Sequence, residues 1–242
     1  VIDSISVDVE LVLDRSGSMS GASGPRTKID TAIDAGRLFV QLGRPDVDDR
    51  IGMVKFNQTP NVFSPMEAIT TGNQPALVGR INATELAPSG STAIAGGVLE
   101  ALRDLDGNPR PTPPPQLSRA LVVLTDGLDN TPYTNPADNV EYTLLGDNGT
   151  TPVPIPPDVR IYGVGIGDNI DTGRLAQLAQ STSGQFLHVL TFAGLDFFKL
   201  EKHFTQIYMD TVDLATVLDP TFLIQPRDEH RTFASVMRLQ NK

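Results

Sequence analysis

The chain contains no cysteine among its 242 residues. This absence excludes disulfides, thiolate zinc sites and cysteine nucleophiles. It leaves the compartment open, although a eukaryotic secreted protein of this length usually contains some cysteine. No covalent staple is needed, because a domain of this size buries roughly 70–75 % of the surface that its unfolded chain exposes. The length fits one large α/β domain.

Long apolar runs are also missing. None approaches the roughly 20 residues that a membrane-spanning helix requires. The start at Val1 lacks the basic, apolar and small-residue pattern of a signal peptide. We therefore expect a soluble segment, and a chain that begins in this way can have lost a leader or an upstream domain.

Basic residues are in the minority, with 19 Lys and Arg against 29 Asp and Glu and a net charge of −10. This balance argues against binding to nucleic acid or to an anionic membrane, because both depend on an excess of Lys and Arg. An acidic surface suits a cation, but it also simply keeps a protein soluble. Both explanations remain open at this point.

Apolar runs of strand length alternate with helical patterns, which is typical of βαβ units. Most runs are apolar throughout, as expected when helices cover both faces of a sheet. The pattern predicts a doubly wound α/β fold with a mainly parallel six-stranded sheet flanked by helices. The predicted strands are Val7–Leu13, Ile51–Phe56, a short strand near Val62 and Phe63, Ala120–Leu124, Val159–Ile166 and Gln185–Leu190.

Apolar residues recur at helical spacing between these strands. The first such helix has its apolar stripe at Ala32, Ala35, Phe39 and Leu42. The second has its stripe at Ile94, Val98, Leu102 and Leu105. Shorter helices are predicted over 74–81 and 174–179. A longer one is predicted from Leu195 to about Leu214, with Leu200, Phe204, Ile207, Thr211 and Leu214 on one stripe that packs against the sheet.

Three segments interrupt this alternation. Residues 108–116 contain five prolines and predict an extended surface loop. Residues 130–158 form a long polar connection, in which we expect one helical turn near 137–145, and long loops of this kind are often functional. Residues 215–242 resemble short strands, over 216–218, 221–224 and 232–237. We therefore expect one domain over 1–214 and a β-like extension over 215–242.

Three separated segments place oxygen-bearing side chains next to strand ends. The first predicted strand runs into Asp14, Ser16 and Ser18, Thr92 directly precedes a helical stripe, and Asp126 follows an apolar run. Ligands of open α/β sheets bind beyond the carboxyl ends of the strands. Carboxylate and hydroxyl oxygens suit a hard cation, Mg²⁺ first, with Mn²⁺ or Ca²⁺ as substitutes.

These residues resemble the von Willebrand factor type A family and its metal-ion-dependent adhesion site. The family pattern is D-x-S-x-S, a later Thr, and an Asp in a T-D-G-like turn; Asp14, Ser16, Ser18, Thr92 and Asp126 match it in order. The resemblance covers roughly residues 6–214. It implies a metal held by these five residues, with an Asp or Glu of a partner protein completing the coordination. It also implies that the last helix can move when that carboxylate exchanges.

The chain departs from the family at one informative position. Integrin β-type members carry an acidic pair after D-x-S-x-S for a second metal, whereas Ser20 and Gly21 follow Met19 here. We therefore expect no second site of that kind.

Other functions fit parts of the sequence. Haloacid dehalogenase-like phosphatases also begin with a strand-end Asp, but they need a second carboxylate for proton transfer where this chain has Ser16. A G-x-S-x-G elbow is absent, because Asp14 stands two residues before Ser16. We therefore expect no enzymatic activity.

A scaffold subunit of an intracellular chelatase-type machine remains an alternative. The β-like tail and the polar long loops favour an exported or surface-attached protein. The three histidines are far apart, and we expect His188 and His203 to be structural. We attribute Gly163, Gly165 and Gly167 to tight turns rather than to a dinucleotide-binding loop, because the G-x-G-x-x-G spacing is absent.

Overall fold

Strands and helices alternate along the part of the chain that the computed structural model describes, residues 5–23, 25–168, 170–189 and 196–212. The expected extension over 215–242 lies outside these residues and stays a prediction. The end of the predicted strand at Leu190 and both ends of the predicted last helix, at 195 and 214, also lie outside them. The strands are β1 (Ser6–Asp14), β2 (Ala22–Ser23), β3 (Arg26–Thr27), β4 (Arg50–Phe56), β5 (Asn61–Ala68), β6 (Leu117–Thr125), β7 (Tyr133–Asn135), β8 (Val140–Thr143), β9 (Thr151–Pro152), β10 (Val159–Ile166) and β11 (Phe186–Val189). The helices are α1 (Lys28–Leu42), α2 (Gln74–Arg80), α3 (Ile94–Gly107), α4 (Thr172–Ser181) and α5 (Asp196–Thr211).

The central sheet has six strands in the order β11-β10-β6-β1-β4-β5. All neighbouring strands run parallel except β5, which pairs antiparallel with β4 at one edge. Strand β1 lies inside the sheet between β6 and β4, and all nine of its residues are buried. The predicted doubly wound, mainly parallel sheet is confirmed.

Helices cover both faces of this sheet, which explains the nearly continuous apolar runs. On one face, Leu11 and Leu13 of β1 share a core with α1 and α5, including Phe39 and Phe204. On the other face, Val12 shares a core with α3 and α4. The predicted stripe of α5 is buried at Leu200, Phe204, Ile207 and Thr211.

The proline-rich connection 108–116 is mostly exposed, as predicted, but one side chain ties it to the sheet. Arg110 is buried, and its guanidinium donates to Asp8 at 2.9 Å and to the backbone oxygen of Asp48 at 2.7 Å. Arg50 also contacts Asp8, at 2.6 Å. Two cations therefore share this buried carboxylate at the amino end of β1.

The connection 130–158 folds into a small sheet in the order β7-β8-β9. The helical turn predicted near 137–145 is wrong, because residues 137–139 form a turn and β8 follows over Val140–Thr143. The reason is a tight turn before β8: Asn139 has a left-handed φ of 58°, and Asp138 accepts a hydrogen bond from the backbone of Val140 at 2.9 Å. Such a backbone ends a helix and begins a hairpin.

Among the described residues, no helix combines the length and the apolar character needed to cross a membrane.

Glu10 lies in the middle of β1 and is fully buried. Within the described residues, no donor satisfies either of its carboxyl oxygens. Its neighbour across the ladder is Gly52, where a β-carbon would lie 2.0 Å from Oε1 of Glu10, so only glycine leaves room for this side chain. Burial, followed by the nearby charge of Asp104, raises the pKa of Glu10 well above its ordinary value.

We predict that Glu10→Gln stabilises the protein at pH 7. Because the pKa of Glu10 is raised by folding, the free energy of unfolding falls as the pH rises above the ordinary glutamate pKa. Glutamine removes this titration and can donate its amide to Asp104. We expect a gain of about 1–3 kcal/mol at pH 7, the usual cost of an unsatisfied buried group, and little difference near pH 4.

Thermal unfolding at both pH values measures this difference. Glu141→Gln is the control, since Glu141 is exposed on β8. An equal effect of Glu10→Gln at pH 4 and pH 7 would contradict the explanation.

Candidate metal centre

Asp14 ends β1 and lies completely buried at the carboxyl edge of the sheet. Its Oδ1 accepts a hydrogen bond from the backbone N–H of Ser16 at 2.7 Å. Its Oδ2 accepts one from the hydroxyl of Thr125, at the end of β6, at 2.5 Å. These contacts follow from the topology, because β1 and β6 are parallel neighbours and end at the same edge.

Ser16, Ser18 and Asp126 form a chain of hydrogen bonds beside Asp14. The two serine hydroxyls lie 3.0 Å apart, and the Ser18 hydroxyl donates to Oδ1 of Asp126 at 2.7 Å. A 3₁₀ turn over Gly17–Ser20 follows Ser16. Ser18 is exposed, whereas Ser16 and Asp126 are buried. The cluster therefore reaches the solvent at Ser18.

Thr92 comes to the same place on a third loop. The backbone N–H of Gly17 donates to the oxygen of Gly90 at 2.9 Å, which joins the Asp14 and Thr92 loops. Thr92 adjoins the segment after Asp126: a β-carbon at Gly127 would lie 3.1 Å from the Thr92 hydroxyl oxygen. The structure therefore brings all five predicted site residues to one edge. That they bind a metal stays a prediction.

Asp129 is a further residue of this edge that the sequence did not single out. The first residue before α3, Ala93, has no side chain to cap the helix. Asp129 caps it instead, accepting from the backbone of Ile94 at 2.9 Å, and it also accepts from the backbone of Leu144 at 3.2 Å. Burial raises the pKa of Asp129. This carboxylate joins α3, the Asp126 segment and the connection 130–158.

Lys28 is the second residue that the sequence did not indicate. Its ammonium nitrogen lies 2.6 Å from Oδ2 of Asp126, although the two residues are 98 positions apart. The Lys28 side chain is 16 % exposed, and that of Asp126 is 0 % exposed. A lysine in the first turn of a helix carries no sequence signal for such a contact.

The environment of Asp14 opposes its ionisation. Burial raises the pKa of Asp14 to about 6, against hydrogen bonds from Thr125 and Ser16 that lower it, and the charge of Asp126 adds a smaller increase. A cation near Asp14 would favour the ionised form. A positive charge beside Asp14 would therefore lower its pKa and stabilise the carboxylate form.

The donor set fits a hard divalent cation. It contains two carboxylates, Asp14 and Asp126, and three hydroxyls, Ser16, Ser18 and Thr92, with neither sulfur nor imidazole. Oxygen donors of this kind suit Mg²⁺, Mn²⁺ and Ca²⁺. In the described ranges, no group of three or more histidine or acidic side chains is placed to hold a metal. The hydroxyls are therefore essential to any site here.

The glycine and histidine residues near β11 have structural roles. His188 contacts the backbone oxygen of Gly167 through Nε2 at 2.6 Å, consistent with the structural role expected for it. Gly167 has a φ of 93° and makes a turn, as predicted. The same explanation is wrong for Gly163 and Gly165, which lie within β10. A β-carbon at Gly165 would lie 2.2 Å from Cδ1 of Ile170, so close packing explains that glycine.

Comparison with known proteins identifies this fold. The sequence profile described as the von Willebrand factor type A domain matches residues 9–128. A comparison with curated proteins finds no match.

Solved structures resemble the chain at low sequence identity. A von Willebrand factor type A protein from Catenulispora acidiphila is 20 % identical, with a TM-score of 0.63 over 86 % of this chain and 43 % of that one. The PilB minor pilin from Streptococcus sanguinis is 14 % identical, with a TM-score of 0.60 over 89 % and 64 %.

A third similar structure is proximal thread matrix protein 1 from the mussel byssus, with a zinc-occupied MIDAS motif. It is 22 % identical, with a TM-score of 0.57 over 89 % of this chain and 47 % of that one. The chain thus spans less than two thirds of the length of each of these three proteins. The profile match, which runs from β1 to the segment after β6, identifies a von Willebrand factor type A domain in this chain, and the similar solved structures share its fold.

Proposed function

We propose that this domain binds a partner protein through a divalent cation. Asp14, Ser16, Ser18, Thr92 and Asp126 hold the cation, and an Asp or Glu of the partner occupies a remaining coordination position. One observation carries the proposal: three loops remote in sequence bring two buried carboxylates and three hydroxyls to one edge that opens at Ser18.

The charge of the donor set favours an anionic partner. The negative charges of the two carboxylates at most neutralise a divalent cation, and the hydroxyls add no charge. A carboxylate of the partner is therefore attracted to the ion and can replace one of the water ligands that Mg²⁺ usually retains. Metal and partner then raise each other's affinity by the same factor.

The similar structures support the metal part of this proposal. The mussel protein holds zinc in its MIDAS motif, which indicates that such a site on this fold accepts a divalent ion. For this chain, oxygen-only donors favour Mg²⁺, with Mn²⁺ or Ca²⁺ as substitutes.

The proposal assigns a binding role and no catalytic one. Ser16 occupies the position where a phosphatase of the haloacid dehalogenase type would carry its proton-transferring acid. Its hydroxyl is engaged with Ser18 at 3.0 Å. A serine at this position cannot serve as the general acid that such chemistry requires.

We predict that Asp14→Ala and Thr92→Ala each weaken binding of Mg²⁺ and Mn²⁺ while the fold persists. Residues that only orient metal ligands contribute about 10–100-fold to affinity, so we expect losing a ligand to cost about 100-fold or more. Isothermal titration calorimetry measures the affinity, and circular dichroism checks the fold. Ser91→Ala is the control, because Ser91 is an exposed neighbour of Thr92. Unchanged affinity in both variants would eliminate this site.

We predict that Mn²⁺ affinity depends on pH near the Asp14 pKa of about 6. Below that pH the proton competes with the cation, so the affinity should fall about tenfold for each further pH unit. Above it the affinity should level off. Calorimetric titrations from pH 5 to pH 8 test this dependence, and constant affinity across that range would show that Asp14 is not a ligand.

We predict that the bound cation keeps a position for an external carboxylate. Bound Mn²⁺ accelerates the relaxation of water protons through an exchangeable water. Acetate should reduce this enhancement by taking the position of the water, whereas acetamide, which has the same size and no charge, should not. Equal behaviour with acetate and acetamide would contradict the proposed mode of partner binding.

A further inference from the structure

The contact between Lys28 and Asp126 is the best-defined feature of the site that metal coordination leaves unexplained. Asp126 uses both carboxyl oxygens: Oδ1 accepts from Ser18 at 2.7 Å, and Oδ2 receives the Lys28 ammonium at 2.6 Å. The charge pair is largely shielded from solvent. A cation and a candidate metal ligand thus already face each other.

The fold holds Lys28 in this position through its backbone and its stem. Thr27 and Asp30 form a capping box that begins α1 at Lys28. The backbone N–H of Lys28 donates to the oxygen of Gly21 at 2.9 Å. A β-carbon at Gly21 would lie 3.7 Å from Cε and 3.9 Å from Nζ of Lys28, so the lysine stem passes directly over this glycine.

Helix α1 itself does not explain the lysine. The amino end of a helix carries partial positive charge and favours acidic side chains. Lys28 is the first residue of α1, where its charge is unfavourable. The compensating interaction is the one with Asp126, a buried carboxylate whose ion pair among the described residues is with Lys28.

Neighbouring cations have other partners. Arg15 donates to the backbone oxygen of Ala87 at 3.3 Å and to the Ser89 hydroxyl at 3.4 Å. Arg26 pairs with Asp34 at 2.6 Å on the outer side of α1. Among the ion pairs of the described residues, Asp126 is joined to Lys28.

We propose that Lys28 is an internal competitor of the divalent cation for Asp126. The inference rests on the proposed metal-binding function. A cation held by either oxygen of Asp126 would lie close to the Lys28 ammonium, which is 2.6 Å from Oδ2, and two positive charges this close repel each other. This repulsion would favour movement of Lys28 away from Asp126 when a cation binds. Lys28 thereby stabilises the metal-free site and lowers its metal affinity.

The test compares Mn²⁺ binding to the wild type, Lys28→Met and Arg26→Met by calorimetry. Removing a charge this close to a divalent ion should tighten binding about tenfold or more in Lys28→Met. Arg26→Met removes the same charge two residues away and should change the affinity less than about twofold, because exposed charges are screened over such distances. Lys28→Arg keeps the charge and should not tighten binding.

A second measurement follows thermal unfolding with and without Mn²⁺. Without metal, Lys28→Met should unfold at a lower temperature than the wild type. Mn²⁺ should raise the unfolding temperature of Lys28→Met by more than it raises that of the wild type. Lys28→Gln provides the same comparison with a polar side chain if the methionine variant does not fold.

The outcomes separate this inference from the proposed function. If the wild type binds Mn²⁺ and both Lys28→Met and Lys28→Gln bind it equally or more weakly, the competitor role alone is overturned. Absence of Mn²⁺ binding in the wild type and in every Lys28 variant overturns the metal site as well. Binding that appears only after Lys28 is replaced supports both.

Discussion

The parallel pairing of β1 with β6 is the constraint on which the site depends. Parallel neighbours end at the same edge, so Asp14 and the Thr125–Asp126 segment meet although more than 100 positions separate them. The loops that carry Ser16, Ser18 and Thr92 then close over this junction through backbone hydrogen bonds. The register of two central strands therefore determines the spacing of the oxygen atoms. A shift of that pairing would dismantle the whole cluster.

Buried acids recur throughout this protein, and their environments differ in an informative way. Asp8 at the amino end of β1 is held by the guanidinium groups of Arg50 and Arg110. Asp126 faces Lys28, while burial raises the pKa of both Asp14 and Glu10. Arginine makes several fixed hydrogen bonds, whereas lysine is a flexible point charge. The arginines at the amino end therefore hold Asp8 in a fixed geometry, whereas a lysine facing Asp126 suits the competitor role proposed for Lys28.

The sequence predicted the central sheet and the convergence of the five candidate residues at one edge, but not every contact around them. The six strands were predictable because each is a nearly continuous apolar run, and α1, α3 and α5 because their apolar residues recur at helical spacing. Asp14 and Asp126 were predictable because strand ends share an edge in this class of fold. Thr92 was predicted from its place before the apolar stripe of α3 and from the family pattern.

The remaining features depend on contacts between distant residues. Lys28 reaches Asp126 across 98 positions, and Arg110 reaches Asp8 across 102. The small sheet within 130–158 was missed because its β8 is short and polar and its turn depends on the left-handed backbone of Asn139. None of these contacts leaves a periodic pattern in the sequence.

The position of Asp129 ties the connection 130–158 to the edge that carries the five candidate ligands. One oxygen of this carboxylate accepts from the first turn of α3 next to Thr92, and the other accepts from Leu144. Displacing Leu144 therefore removes one of the bonds that orient the cap of α3. Asn130 and Thr131 add two further links: the Asn130 side chain accepts from the backbone N–H of Thr92 at 3.3 Å, and the N–H of Thr131 donates to the backbone oxygen of Thr92 at 3.2 Å. The long connection and the loop that carries Thr92 therefore cannot be exchanged independently of each other.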